Sequence, residues 1–342
     1  MTQKIWIDNA RIISCFAVVF LHVAGNIVYN GPGYGPVAWW AGNFYNAFSR
    51  WSVPFFLMIT GTLLLAPEKS DSVSFFYRKR FRRILVPLIF WTMVYSLIRL
   101  WPHFCDRGAL VSESIKLLRD VLSGNVYYHL WYVYMLVGLY LFLPVVRFVV
   151  RAAPPNELTL LCGVWFLIAI LTIATYSFSG PAKYSLFLGG FFSFMPYCIA
   201  GYLVSVGRNK TKWQYLLLGA GAMGILTLLG SYALRWVDHP VKYYFYNFLS
   251  ITVVPMSILL FIAASRFSRP VLGARFTGRI SALTFGIYLV HPAIMKLLDA
   301  AGIKVTIITP LLGIPLVACL AFFISCGITA VITFVPYARR TI

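Results

Sequence analysis

Long apolar stretches alternate with short polar segments along the whole chain. A helix needs about 20 apolar residues to cross a bilayer. Stretches near this length predict ten spans, at residues 10–29, 45–66, 84–101, 130–150, 157–177, 186–206, 213–234, 246–265, 281–298 and 308–335. The pattern therefore predicts an all-α polytopic membrane protein, in which residues 1–342 form a single membrane domain without a separate soluble domain.

Composition agrees with a membrane location. Of the 342 residues, 60% are hydrophobic and only 11% are charged, whereas soluble domains average roughly 25% charged residues. A soluble enzyme or a disordered chain is therefore excluded. The six cysteines show no CxxC spacing, so we expect neither a metal site nor a redox pair.

Basic residues concentrate at alternate ends of the predicted spans. Most of the 29 Lys and Arg residues lie near the N-terminus, at 69–83, 147–151, 208–212 and 266–279, and at 339–340. The positive-inside rule assigns these ends to the cytoplasm, together with both termini. The net charge of +20 is then explained by topology and by contact with anionic membrane lipid. We expect no nucleic-acid partner.

The longest outer loop, about 102–129, contains an amphipathic stretch at 113–122 that we expect to lie on the membrane surface. Aromatic clusters in the outer loops, at 39–40, 127–128 and 243–246, are typical of the interfacial aromatic belt. A sugar-binding cleft lined by these rings is the alternative interpretation.

Ionisable side chains inside apolar segments are the candidates for chemistry, because they are costly to bury in a membrane. His22 follows Arg11 by eleven residues, which is about 16.5 Å along a helix and within about 20° of the same face. Asp8 precedes Arg11 by three residues and can pair with it, while Cys15 and Asn26 continue the stripe. This polar stripe is expected to face the interior of the helix bundle.

The ninth predicted span carries a second histidine. His291 lies twelve residues beyond Arg279, or about 18 Å of helix, so its depth is similar to that of His22. Two histidines at one depth predict a shared polar cavity. For His291, which precedes Pro292, a buried packing role is an equally good interpretation.

Five motifs, in order along the chain, resemble those of the acyltransferase 3 family of membrane acyltransferases. They are Asp8-x-x-Arg11-x10-His22, Arg50 to Gly61 with Thr60 in place of the family's Ser, Arg80-x-x-Arg83, His129-Leu-Trp131-Tyr132, and Gly286-Ile-Tyr288-x-x-His291-Pro292. In size and in its opening residues the chain is similar to stand-alone O-acetyltransferases of bacterial surface glycans, such as the enterobacterial common antigen type.

The resemblance implies transfer of an acyl group, most often acetyl, to a hydroxyl of a cell-surface or lipid-linked glycan. The donor would be cytoplasmic acyl-CoA, with acetyl-CoA as a co-substrate rather than a bound cofactor, and the location would be the bacterial inner membrane. Arg80 and Arg83 would bind the CoA phosphates, although ordinary positive-inside charge explains them equally well. Arg11 would hold the same phosphates or fix Asp8.

The remaining candidates divide between catalysis and acceptor binding. His22 suits a general base with a pKa near neutrality, and an acyl-histidine intermediate is the alternative. The donor to the tetrahedral oxyanion stays open among Tyr288, His291 and Asn26. Near the outer face, Arg50, His129 and Trp131 are expected to contact the acceptor glycan. Asn26 is expected to contact it as well, if it is not the donor to the oxyanion.

The rival function is a transporter or flippase for a lipid-linked glycan. Transporters often carry acidic proton relays inside their spans and show inverted repeats. The sequence has neither feature. It gives no indication of an oligomeric state. The scarcity of acids, nine in all, also argues against glycosidase chemistry, which uses paired carboxylates.

Overall fold

The protein is a bundle of α-helices. The computed structural model describes residues 2–29, 34–66, 72–179, 190–207 and 209–342, and this part contains no β-strand. Its helices are α1 (Thr2–Tyr29), α2 (Gly35–Ser49), α3 (Ser52–Leu64), α4 (Val73–Leu100), α5 (Arg107–Ser123), α6 (Trp131–Ala152), α7 (Pro155–Ser179), α8 (Met195–Val206), α9 (Trp213–Leu234), α10 (Val253–Ala264), α11 (Ala274–Ala300) and α12 (Pro310–Phe334). The predicted all-α membrane fold is confirmed.

Eight helical stretches of the described chain are long and apolar enough to cross a membrane, rather than ten. The other two predicted spans contain the shorter apolar helices α8 and α10, of 12 residues each. Twelve residues rise only about 18 Å, against a hydrocarbon core of about 30 Å. A turn of 3₁₀-helix at Phe191–Phe194 extends α8, and part of its predicted span falls in 180–189, outside the described residues.

The second predicted span, 45–66, is two helices joined at a break. Together α2 and α3 cover Gly35–Leu64 and are interrupted at Arg50 and Trp51. The span begins ten residues earlier than the apolar pattern indicates, because the α2 asparagines find tertiary partners. Asn43, for example, donates to the carbonyl of Leu228 at 3.1 Å and accepts from the Tyr246 hydroxyl at 2.6 Å. Satisfied polar side chains of this kind are tolerated within a membrane bundle.

Helices α1 and α11 lie side by side and run in the same direction. The Ser281 hydroxyl donates to Asp8 at 2.6 Å, and the Cys15 thiol lies 3.4 Å from the Thr284 carbonyl. Asn9 also binds the loop before α11, donating to the carbonyl of Arg269 at 2.7 Å. These contacts align the two polar stripes along the length of the pair.

Helices α3 and α8 cross with their backbones in contact. A Cβ atom on Gly61 would stand 1.8 Å from the Cys198 carbonyl oxygen, and one on Gly201 would stand 2.0 Å from the Met58 oxygen. Only glycine fits at either position. Small residues that allow such close approach are characteristic of helix contacts in membranes, and this crossing fixes α3, which follows the break at Arg50.

The two ends of the described chain lie at the same end of the bundle. The Trp91 indole of α4 donates to the Thr341 carbonyl at 2.8 Å, and Ile342 shares a cavity with Arg11 and Arg80. We call this end, which carries Arg11, Arg80 and Arg83, the basic face. The end beyond His22 is the outer face.

The predicted amphipathic stretch 113–122 belongs to α5. Asp106 caps the first turn of this helix, and Arg99 of α4 binds Glu113 and Asp120 at 2.6 Å each. Several large apolar side chains of α5, such as Leu118 and Leu122, are exposed. This arrangement is typical of a helix that rests on the membrane interface.

Candidate active site

His22 of α1 and His291 of α11 form a direct hydrogen bond. Nδ1 of His22 lies 2.7 Å from Nε2 of His291. The ring centroids are 4.9 Å apart and the ring planes differ by 5°. The centroid distance exceeds the nitrogen distance by about two imidazole ring radii, so the bond is nearly linear and lies in the plane of both rings. The sequence predicted a shared polar cavity for the two histidines. The structure joins them by a direct hydrogen bond instead, and of the two only His22 lines a cavity.

The hydrogen bonds of the pair determine which nitrogens carry protons. Nδ1 of His291 lies 3.2 Å from the Ile287 carbonyl oxygen, which can only accept. With both rings neutral, Nε2 of His291 therefore accepts a hydrogen bond and Nδ1 of His22 donates it. The second nitrogen of His22, Nε2, is then left with a free lone pair.

A layer of buried rings surrounds the pair. His129 is fully buried and packs against Tyr95, Tyr288 and His291, with centroid distances of 4.7, 5.5 and 5.7 Å. The Tyr288 hydroxyl donates to the backbone carbonyl of His129. The single hydroxyl proton of Tyr288 is therefore used within the protein, and the loop before α6 is fixed to α11.

A cavity of about 510 Å³ opens at the outer face and ends at His22. Asn26, Tyr128, Trp131 and Arg50 line it along with His22. The Trp131 ring stacks on Phe248 with centroids 5.7 Å apart. A polar cavity with several aromatic walls has the composition of a small-molecule binding site.

Arg50 is held rigidly at the break between α2 and α3. Its Nε and Nη2 donate to the Asn46 amide oxygen at 2.7 and 2.5 Å, and Nη2 also donates to the Tyr29 hydroxyl at 2.5 Å. Asn46 in turn donates to the carbonyl of Leu21, the residue before His22. The guanidinium is therefore fixed with respect to the histidine on α1.

A second cavity, of about 380 Å³, opens at the basic face. Three guanidinium side chains line it, from Arg11, Arg80 and Arg83, and Tyr288 forms part of its wall. The Tyr288 ring lies 5.8 Å from that of His291, measured between centroids. The two cavities thus approach each other on either side of a layer that is only one or two rings thick.

The structure brings together most of the residues that the sequence singled out. His22, Asn26, Arg50 and Trp131 line the outer cavity, whereas His129 lies behind His291 and is not among its lining residues. The basic-face cavity contains Arg11, Arg80, Arg83 and Tyr288. Asp8 lies 3.9 Å from Arg11, as its spacing predicts.

Two features of the site were missed by sequence reasoning. Asn46 positions Arg50, and the spacing of four residues on one helix face was an available signal. Lys296, Asp299 and Lys304 also line the outer cavity. Lys296 and Asp299 lie near the end of α11 and Lys304 follows the helix. Lys296 falls inside the predicted span 281–298, but nothing in the spacing of the three residues indicated that they face this cavity.

Comparisons with known proteins give one match. A family model described as an acyltransferase domain matches residues 4–330. No curated protein and no solved structure matches the chain.

Proposed function

The chain belongs to the acyltransferase 3 family, whose model spans nearly its whole length, and we propose that it moves an acetyl group from acetyl-CoA to a glycan hydroxyl. The observation that carries this proposal is the His22–His291 hydrogen bond, which lies where the two cavities approach each other. In the proposal, acyl-CoA enters from the cytoplasm at the basic face. The acceptor, a cell-surface or lipid-linked glycan, enters at the outer face of the bacterial inner membrane.

His22 acts as the general base in this reaction. Its Nε2 takes the proton of the acceptor hydroxyl while that oxygen attacks the thioester carbonyl. The tetrahedral intermediate then collapses with loss of the CoA thiolate, which receives the proton from His22. The products are the O-acetyl glycan and free CoA, so atoms and charges balance without a further reactant.

His291 is a positioning residue for His22. By accepting from Nδ1 of His22 through a nearly linear bond, it holds the ring in the orientation and tautomer that leave Nε2 basic. The buried aspartate of a serine-protease triad acts on its histidine in the same manner. In this chain the role is filled by a neutral ring, which is itself fixed by the Ile287 carbonyl.

Three arginines support binding of the donor. CoA carries several phosphate groups, and guanidinium groups bind phosphate through charge-assisted, often bidentate, hydrogen bonds. From Arg11, the acyl arm of the donor has about 16.5 Å of helix to cover before it reaches His22. Because Tyr288 and His291 separate the cavities, the acyl group passes beside these rings to react.

The residues near the acceptor cavity have different roles in the proposed reaction. Asn26 follows His22 by one helical turn and its side chain is exposed, so its amide can serve as a donor to the oxyanion. Tyr288 is a weaker candidate for that role, because its hydroxyl already donates a hydrogen bond to the backbone carbonyl of His129. The Trp131 ring offers an apolar face for a sugar, and His129 supports the histidine pair from behind.

The test uses the full chain purified in detergent, labelled acetyl-CoA, and lipid-linked glycans from the producing bacterium. Wild type is compared with His22→Gln and with the matched control His239→Gln, since His239 is half-buried and lies away from both cavities. We expect wild type and control to label the glycan, and the His22 variant to lose about 10²–10⁴-fold in rate.

Two results would change the proposal. Equal labelling by wild type and the His22 variant would retain the enzyme class and remove His22 as the base. If a panel of acyl-CoA donors gave no transfer in detergent, the proposal of an acyltransferase reaction would fail. Vesicle uptake of the glycan would then test the transporter alternative, which needs two compartments.

A further inference from the structure

The charged groups of the outer cavity are strongly unbalanced. Three basic side chains line it, from Arg50, Lys296 and Lys304, and the only acidic side chain among its lining residues is that of Asp299. Among the described residues, no ion pair within 4 Å joins Asp299 to either lysine or reaches Arg50. The cavity therefore has a net positive charge with the histidines neutral.

The rest of the chain cannot neutralise this charge. Glu113 and Asp120 both bind Arg99, and neither Asp106 nor Asp238 lines the cavity. The segments 30–33 and 180–189, outside the described residues, contain no Asp or Glu in the sequence. The other acids lie near the starts of α1 and α7, at Asp8 and Glu157, and in the loop predicted at the basic face, at Glu68 and Asp71.

Arg50 is the most informative of these groups, because it is buried. Its side chain is 5% exposed, and its described partners are neutral. They are the Asn46 amide oxygen, the Tyr29 hydroxyl, and the rings of Tyr246 and Phe248 at 4.9 and 5.4 Å from the guanidinium carbon. Among the described residues, its third nitrogen, Nη1, makes no hydrogen bond.

A buried cation without a counter-charge is costly to a folded protein. Hydrogen bonds to neutral groups and aromatic faces reduce this cost, but they leave the charge in place. The full network, from Leu21 through Asn46 to Arg50, nevertheless fixes this cation beside the cavity that ends at His22. Low-dielectric walls around like charges also focus the field within a cleft, which favours an anionic ligand.

We propose that the acceptor carries an oxyanion, which Arg50 binds inside the outer cavity while Lys296 and Lys304 attract it at the mouth. This inference rests on the proposed function and narrows it to acidic acceptors. Two sources share the chemistry: the carboxylate of an acidic sugar, or a phosphate that links the glycan to its lipid carrier. A neutral glycan on a neutral lipid is excluded by the proposal.

The test measures binding, without an acyl donor, to the purified full chain in detergent. Three probes share one farnesyl tail, so their partition into detergent is matched. They are farnesyl-diphosphate-linked N-acetylglucosamine, the farnesyl glycoside of glucuronic acid, and the neutral farnesyl glycoside of N-acetylglucosamine. At low salt we expect at least one anionic probe to bind ten-fold or more tightly than the neutral one, with the preference reduced in 0.5 M salt.

The variants assign the preference to the cavity. Arg50→Gln should abolish the preference for the anionic probe, and Arg50→Lys should retain part of it. The double substitution of the exposed Lys296→Gln and Lys304→Gln leaves the interior unchanged. It should weaken binding of the anionic probe about three-fold or more, while binding of the neutral probe is unaffected. Arg235→Gln is the control, because Arg235 stacks on Trp39 and Trp236 outside the cavity.

The outcomes separate this inference from the proposed function. Preference for the diphosphate probe identifies the lipid carrier as the source of the anion, and preference for the glucuronide identifies the sugar. Equal binding of all three probes, or a preference for an anionic probe that survives Arg50→Gln, overturns the inference even if acetyl transfer is observed. If anion binding depends on Arg50 but the protein transfers no acyl group, the anion site is supported and the proposed acetyl transfer is refuted.

Discussion

Replacing His291 by phenylalanine or by glutamine separates the two roles that its position allows. Phenylalanine keeps a planar ring but cannot accept a hydrogen bond. Glutamine presents an amide oxygen that can accept from Nδ1 of His22, as Nε2 of His291 does at 2.7 Å. If His291 only positions His22, the glutamine variant retains activity and the phenylalanine variant loses it.

The size of the loss follows from the geometry of the pair. His291 is fully buried, so the phenylalanine variant leaves the Nδ1 proton of His22 without a partner in the interior. An unsatisfied buried donor costs about 1–3 kcal/mol, and each 1.36 kcal/mol is a factor of ten in rate. We therefore expect the kcat of His291→Phe to fall about 10–100-fold, and that of His291→Gln to stay within about five-fold of wild type.

Steady-state acetyl transfer, measured against both substrates and across pH, is the assay. The KM values for acetyl-CoA and for the acceptor should change little in either variant, because His291 lines neither cavity. The acid limb of the pH–rate profile should persist in both variants, since His22 remains. A glutamine variant as inactive as the phenylalanine one, with His22→Gln still active, would refute the reasoning and make His291 the base.

Three further results are expected. Arg83→Ala should raise the KM for acetyl-CoA about three- to ten-fold with kcat unchanged. Arg82→Ala, one residue away and outside the cavity, should change neither constant. Equal effects of the two substitutions would indicate that both arginines act only through general surface charge. Gly61→Ala should lower the stability of the purified protein by about 1–3 kcal/mol in thermal unfolding, because its Cβ has no space against α8; an unchanged Tm would contradict the backbone contact. The hydrogen bond from Arg99 lowers the pKa of Glu113. The ionised Glu113 therefore helps to attach α5 to α4 at pH values above the ordinary carboxylate pKa of about 4.3, and this contribution is lost as the pH falls through the lowered pKa. Protease cleavage within α5 should thus be constant from about pH 5 to 8 and rise in stronger acid. Arg99→Gln should be cleaved faster than wild type from about pH 5 to 8, and the difference should shrink in stronger acid.

The sequence by itself determined the membrane class and the pairing of the two histidines in depth. Helix geometry is regular, so a fixed rise and turn per residue place Arg11 and His22 on one face and give His291 the same depth. Apolar length likewise found most of the spans. It failed at α2, α8 and α10, where polar residues or irregular backbone inside the bundle are satisfied by partners from distant parts of the chain.

Only the tertiary structure decided how the side chains meet. The linear His22–His291 bond depends on the rotation of α1 against α11, which the contacts of Asp8 and Cys15 fix, and the Ile287 carbonyl determines which nitrogen of the pair is free. His129 has the sequence position of an acceptor-binding residue, yet the fold buries it behind the pair. The positive outer cavity also depends on packing, because Arg50 at the break between α2 and α3 is distant in sequence from Lys296 and Lys304, which lie near and just after the end of α11. A helix repeat specifies the faces of one helix, whereas the charge and shape of a cavity depend on which faces of several helices are packed together.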